Sequence, residues 1–187
     1  LKFMINSNIE KIYLFLFSLI PVSIIIGSSV SLVNILIILI IFFIFSLKSI
    51  EKEIFNNSAL IFLIFLYFYL IFNSFIAIDF EMSASRNFGF IRFILLFVVI
   101  NYFFKSSNNT NNIFVFWFLI VTIVVFDSFI EFSFGKNVLG YGGPIADGGL
   151  YGDRIVSFFK DEPVVGAFLN AFIFIIIGYF FDKLIKK

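Results

Sequence analysis

Six long apolar stretches constrain the fold of this chain more than any other feature of its sequence. They cover approximately residues 12–27, 31–47, 59–78, 88–104, 113–130 and 164–181. A helix needs about 20 apolar residues to cross a hydrocarbon core of about 30 Å. A lone span must also satisfy its backbone hydrogen bonds internally, and these runs are too long and continuous for barrel strands. The sequence therefore predicts an all-α fold, a polytopic membrane helix bundle of about six transmembrane helices that forms a single membrane domain over residues 1–187.

Composition supports the membrane prediction and excludes several kinds of chemistry. The chain is 61% hydrophobic and 13% charged, whereas a soluble domain is closer to half apolar and one quarter charged. Cysteine and histidine are absent, which removes thiol chemistry and the commonest general base near neutral pH. The net charge of +1 indicates no nucleic-acid partner. The acidic residues do not follow an EF-hand spacing, so we predict no metal site and no cofactor.

The distribution of Lys and Arg between the predicted loops indicates the topology. With the N-terminus in the cytoplasm, the inner segments hold Lys2, Lys11, Lys48, Lys52, Lys105, Lys183, Lys186 and Lys187. The outer segments then hold Arg86, Arg92, Lys136, Arg154 and Lys160. The long segment 131–163 therefore faces a periplasm or the cell exterior. No small-residue cleavage site follows the first apolar stretch, so we expect a retained helix and not a cleaved signal peptide.

The outer segment 131–163 is the only long polar region between apolar stretches. It holds seven of the eleven glycines and two of the three prolines. Glycine permits tight turns and close backbone approach, so two interpretations stay open. The segment is either an ordinary flexible loop or an ordered loop whose backbone amides approach an anion or a sugar. It lacks the Lys-Ser/Thr pattern of a nucleotide-binding loop.

Charged residues near lipid are costly, so their positions point to candidate sites. Arg92 and Asp127 lie deepest in the predicted spans, close to the same outer interface, where they could pair. In a purely structural interpretation, the side chain of Arg92 extends to the interface, and Asp127 caps a helix or forms a structural ion pair. In the functional interpretation, Arg86, Arg92 and Arg154 form a basic patch for a phosphate-bearing ligand, since a guanidinium binds phosphate bidentately and stays charged.

Residues 152–169 resemble the signature of the O-antigen ligase and O-antigen polymerase superfamily. An arginine, here Arg154, precedes a short aromatic turn, an acidic residue followed by proline (Glu162-Pro163) and a small residue that enters a helix. Residues 74–93 and 127–135 are also similar to stretches of that family, as is the opening hairpin with Pro21.

This resemblance implies glycosyl transfer at the outer face of a bacterial inner membrane. The donor would be a polyprenyl-diphosphate-linked glycan, and the acceptor would be a glycan or a lipid A core. Membrane lipid would be a further partner, because it surrounds the helices. Arg154 matches the family's loop arginine best, and Arg92 and Arg86 match less closely. These three would bind the diphosphate, with Asp127, Asp153 and Lys160 as supporting residues. No residue is assigned a catalytic role.

Members of that family have about ten to twelve spans and a second outer loop that carries arginine and histidine. We therefore expect this chain to be the N-terminal half of a longer protein and to be inactive alone. A transporter or flippase subunit for a lipid-linked or anionic cargo is the main alternative, and a structural membrane protein is another. A transporter should carry charged or helix-breaking residues near the bilayer midplane, whereas the centres of these stretches are nearly free of charge.

Overall fold

The computed structural model describes residues 7–46, 56–107, 110–142, 154–160 and 164–185. Within those ranges the regular structure is helical, without any strand, and the all-α prediction is confirmed. The helices are α1 (Ser7–Ser18), α2 (Ile20–Ile26), α3 (Ser28–Ile41), α4 (Ser58–Phe75), α5 (Phe80–Gly89), α6 (Ile91–Ser106), α7 (Asn111–Phe134) and α8 (Val165–Ile185). A π-helical turn, Phe42–Ser46, extends α3, and a 3₁₀ turn, Ser157–Phe159, precedes α8.

Five described segments are long and apolar enough to cross a membrane, and α1 with α2 makes a sixth if the pair is one bent span. The five are Ser28–Phe45, Ser58–Phe75, Phe80–Lys105, Asn111–Phe134 and Val165–Ile185. Only 11% of the Ser58–Phe75 segment is buried within the protein, so most of its apolar surface needs a hydrocarbon environment. The chain is a multi-pass, all-α membrane protein.

The chain packs as two compact units. The first unit contains Leu1–Leu16 and Leu32–Asn108, and the second contains Phe17–Ser31 and Asn109–Lys187. The first unit therefore holds α4, α5 and α6, and the second holds α2, α7, the 3₁₀ turn and α8.

The first predicted span, residues 12–27, is interrupted at Leu19. Proline lacks an N–H group and its ring clashes with the carbonyl four residues earlier, so Pro21 leaves the carbonyl of Phe17 without its usual helical donor. The indole N–H of Trp117 donates to that carbonyl at 3.0 Å. Gly27, with φ +147°, is the whole connection between α2 and α3. Residues 28–30, which lie between the predicted stretches 12–27 and 31–47, therefore belong to α3.

In the first unit, the predicted fourth span begins earlier than residue 88. Residues 80–87, which lie between the predicted spans 59–78 and 88–104, form most of α5. Asp79 is the N-cap of this helix, and its carboxylate accepts from the N–H of Met82 at 3.0 Å. Asn87, on a buried position of α5, donates to the carbonyl of Leu70 at 2.9 Å and to the hydroxyl of Ser74 at 2.8 Å. Hydropathy missed α5 because its helical state depends on capping and on these contacts.

In the second unit, α7 and α8 pack side by side in opposite directions. At the start of α7, the ring of Phe114 stacks on that of Tyr179 near the end of α8, with centroids 3.9 Å apart. Asn111, which lies between the predicted spans 88–104 and 113–130, accepts from the hydroxyl of Tyr179 at 2.6 Å and from Lys183 at 2.8 Å. The end of α7 therefore lies beside the beginning of α8, where the polar segment 131–163 connects the two helices.

Candidate functional site: a loop anchored by two buried carboxylates

Two acidic side chains lie at the carboxyl-terminal end of α7. Asp127 and Glu131 are four residues apart and so share one face of the helix. They are only 2% and 4% exposed, respectively. Buried acids near lipid are costly unless hydrogen-bond donors surround them, and here both carboxylates accept hydrogen bonds from the segment that follows the helix.

Asp127 holds two parts of that segment. Its Oδ1 atom accepts from the backbone N–H of Val138 at 3.1 Å. Its Oδ2 atom accepts from the Ser157 hydroxyl at 2.6 Å and from the Asn137 amide at 3.4 Å. Asp127 therefore joins the start of the loop, at Asn137 and Val138, to Ser157, which follows Asn137 by twenty residues. Ser157 is fully buried.

Glu131 holds the same later position through the backbone. The N–H of Val156 lies 3.0 Å from Oε1 and 3.2 Å from Oε2, and the N–H of Ser157 donates to Oε2 at 2.6 Å. Ser157 has φ +49°, a left-handed conformation that costs a residue other than glycine about 1–3 kcal/mol. The carboxylate stabilises this turn because it binds two successive N–H groups that the turn directs toward it.

Asn137 organises the first part of the loop. Its side-chain oxygen accepts from the N–H of Leu139 at 3.0 Å and from that of Tyr141 at 2.7 Å. Its side-chain nitrogen donates to the carbonyl of Ser157 at 2.6 Å. One buried amide therefore closes the turn after α7 and ties that turn to the 3₁₀ turn before α8.

Gly142 brings the backbone directly against the carboxylate of Glu131. Its φ is +93°, and a Cβ atom at this position would lie 2.7 Å from Cδ of Glu131 and closer still to Oε1. Only glycine fits here without displacing a carboxylate that the backbone of Val156 and Ser157 already holds. In the described part of the loop, backbone amides do approach an anion, and that anion is a side chain of the protein itself.

The predicted site residues fall in different parts of the structure. Arg154 is exposed and lies two residues before Val156, and Lys160 is exposed with φ +57°. Both belong to the second unit. Arg86 is exposed on α5, and Arg92 is half-buried on α6 with its guanidinium 4.9 Å from the ring centre of Phe93; both belong to the first unit.

The structure brings Asp127 together with Ser157 and Asn137, and thereby with the backbone that carries Arg154. Arg92 belongs to the first unit, and its pairing with Asp127 stays a prediction. Asp153, the acidic-Pro pair Glu162-Pro163 and most of the glycines of the loop lie outside the described residues.

Sequence reasoning missed Glu131, Asn137, Ser157 and Gly142 as members of one cluster. The available signal was the spacing of Asp127 and Glu131, which places two acids on one face at the end of an otherwise apolar helix. Their partners could not be read from the sequence, because they lie up to thirty residues away.

The carboxylates of this cluster are occupied. Among the described residues, every buried side-chain nitrogen or oxygen atom has a hydrogen-bond partner. Asp127 and Glu131 therefore serve as anchors of the loop, and neither presents a free carboxylate as a general base. The exposed side chain of Arg154 lies two residues before the anchored backbone of Val156.

The fold and this site define a multi-pass, all-α membrane protein whose longest polar connection is ordered, where described, by buried acids of the preceding helix. No protein-family model, curated protein sequence or solved structure matches the chain.

Proposed function

We propose that the chain is part of a membrane glycosyltransferase that polymerises or ligates polyprenyl-diphosphate-linked oligosaccharides at the outer face of a bacterial inner membrane. Arg154 binds the diphosphate of the donor. The acceptor is a sugar hydroxyl on a growing glycan or on a lipid A core.

The observation that carries this proposal is the attachment of Arg154 to a fixed backbone. Val156 and Ser157 are buried and bound to Glu131, so the exposed Arg154 emerges from an anchored segment at the end of a transmembrane helix. A diphosphate leaving group gains negative charge as the glycosidic bond breaks. A cation that is already in position stabilises that charge without reorganisation, and a guanidinium can hold two phosphate oxygens at once.

The placement of the acidic anchors also favours chemistry at the membrane surface over passage through the membrane. Asp127 and Glu131 lie in the last two to three turns of α7, which ends at Phe134. The α7 residues before Asp127 carry no charge, whereas a transporter should place charged groups near the bilayer midplane.

Substitution of Arg154 in the gene that encodes this chain tests the proposal. We expect Arg154→Ala to abolish extension or attachment of surface glycan at unchanged protein level, and Arg154→Lys to restore only part of the activity, because an ammonium cannot bind bidentately. Glycan banding on gels is the measurement. Lys136→Ala, which removes another exposed cation of the same loop, is the matched control and should leave the banding unchanged.

The location of the accumulated precursor separates a transferase from a flippase. In Arg154→Ala cells, a defective transferase leaves the lipid-linked glycan in the outer leaflet, where an impermeant glycosidase can cleave it. A defective flippase leaves it inside and protected. Normal banding in the alanine variant, or a fully protected precursor, would refute the proposal.

A further inference from the structure

The second unit contains a cavity of about 370 Å³ between the α2–α3 connection and the 3₁₀ turn. It is lined by residues 24–30 together with Phe159 and Lys160. Its volume lies within the range of roughly 300–1,000 Å³ that is typical of small-molecule sites. Its lining does not include Arg154 or the anchoring carboxylates. It does include Lys160, which the family resemblance implies only as a supporting residue for the donor diphosphate.

The lining of the cavity combines apolar side chains with polar groups. Ile24, Ile25, Ile26, Val30 and Phe159 supply hydrocarbon, and the connection Gly27-Ser28-Ser29 supplies hydroxyl and backbone groups. Lys160 is the one charged residue among the described residues that line it. Apolar side chains together with hydroxyls and one cation suit an anionic head group joined to a hydrocarbon chain.

The backbone of Lys160 is held in an uncommon conformation at this position. Its φ of +57° is costly for a side chain with a Cβ. The residue before it, Phe159, is buried and packs on Phe168, with ring centroids 5.2 Å apart. Strain of this kind persists where the surroundings enforce it, and it concentrates at binding sites.

We propose that this cavity binds the phosphate end of a membrane lipid. The ammonium of Lys160 pairs with the phosphate, the hydroxyls of Ser28 and Ser29 donate to it, and Ile24–Ile26 and Phe159 contact the first carbons of the hydrocarbon chain. A polyprenyl diphosphate and an anionic glycerophospholipid share this chemistry. The proposal does not depend on the role of Arg154.

Binding to the purified protein in a neutral detergent tests this site. Native mass spectrometry would measure occupancy with phosphatidylglycerol, with undecaprenyl diphosphate, with uncharged polyprenol and with inorganic phosphate. We expect one or both of the phosphate-bearing lipids to bind, and polyprenol and inorganic phosphate to bind at least about tenfold more weakly, because each lacks half of the recognised group. Preference between the two lipids identifies the natural source.

Lys160→Gly is the informative variant, because glycine removes the cation and also suits a φ of +57°. It should lower lipid affinity about tenfold while thermal stability is kept or raised, which separates lost binding from misfolding. Lys160→Arg should retain binding, and Lys136→Ala should have no effect. Undiminished binding by Lys160→Gly, or equal binding of polyprenol, would overturn the proposal.

The same assay distinguishes this site from the proposed transferase function. Arg154→Ala should keep full lipid occupancy of the cavity while glycan transfer is lost. Loss of lipid binding in Arg154→Ala would show that the phosphate contacts the loop arginine, and would refute the assignment to the cavity.

Discussion

At the scale of single residues, Gly142 shows how closely the loop backbone is fitted to its anchor. The chain passes Glu131 at a distance that leaves no room for a Cβ atom, and it does so with φ +93°. Gly140 has a similar φ of +84°, yet a Cβ atom there would meet nothing within 4 Å. The two glycines therefore share a backbone requirement and differ in steric surroundings.

We predict that Gly142→Ala destabilises the protein more than Gly140→Ala does. Both substitutions impose a left-handed conformation on alanine, at roughly 1 kcal/mol or more. Only Gly142→Ala also displaces the carboxylate that binds Val156 and Ser157. Limited proteolysis of the loop, together with the thermal unfolding midpoint in detergent, would measure the difference. Equal loss in the two variants would show that the contact with Glu131 contributes nothing.

At the scale of elements, α7 combines two roles along one buried stripe. The stripe begins with the apolar and aromatic side chains of Ile113, Trp117, Val121 and Val124, which pack against other helices. It ends with the two acids of the anchor, Asp127 and Glu131. Because these positions follow the three-to-four-residue spacing of one helix face, the packing of the aromatic part sets the position of the acids. Trp117 also donates a hydrogen bond to the carbonyl of Phe17, close to the break before Pro21.

We predict an energetic coupling between Trp117 and Pro21. Trp117→Phe keeps an aromatic ring but removes the indole hydrogen bond to the carbonyl of Phe17, which costs about 0.5–1.5 kcal/mol. In Pro21→Ala the new backbone N–H can donate to that carbonyl, so Trp117→Phe should cost about 1 kcal/mol less in this background. SDS-driven unfolding of the four proteins gives the double-mutant cycle. Strictly additive costs would show that the carbonyl does not need the indole.

At the scale of the whole molecule, the proposed function depends on which side of the membrane the anchored loop faces. Helix α7 has 24 residues, which corresponds to about 36 Å at 1.5 Å per residue. This length exceeds the hydrocarbon thickness of about 30 Å, so a transmembrane α7 places its two ends on opposite sides of the bilayer. The bias of Lys and Arg predicts that its beginning faces the cytoplasm.

We predict opposite labelling of two single-cysteine variants, which the absence of native cysteine makes straightforward. Lys136→Cys, just beyond the end of α7, should react with a membrane-impermeant maleimide in intact cells. Asn112→Cys, exposed at its beginning, should react only after permeabilisation. The reverse pattern would place the loop in the cytosol and would exclude a donor diphosphate in the outer leaflet from contact with Arg154.

The sequence by itself determined the all-α, multi-pass class of this protein. Hydropathy is a local sum over about 20 residues, and the lipid requirement that it reports does not depend on how helices pack. The sequence also pointed to Asp127 and Arg154, because charges near lipid are few and costly.

Only the tertiary structure decided what those charges do. The partners of Asp127 and Glu131 are backbone and side-chain groups that reach them only when the loop folds back over the end of α7, and no local pattern encodes that closure. The helical state of residues 80–87 and the break before Pro21 likewise depend on caps and on contacts such as Trp117 with Phe17. Hydrogen bonds between distant residues, unlike hydropathy, exist only in the folded chain.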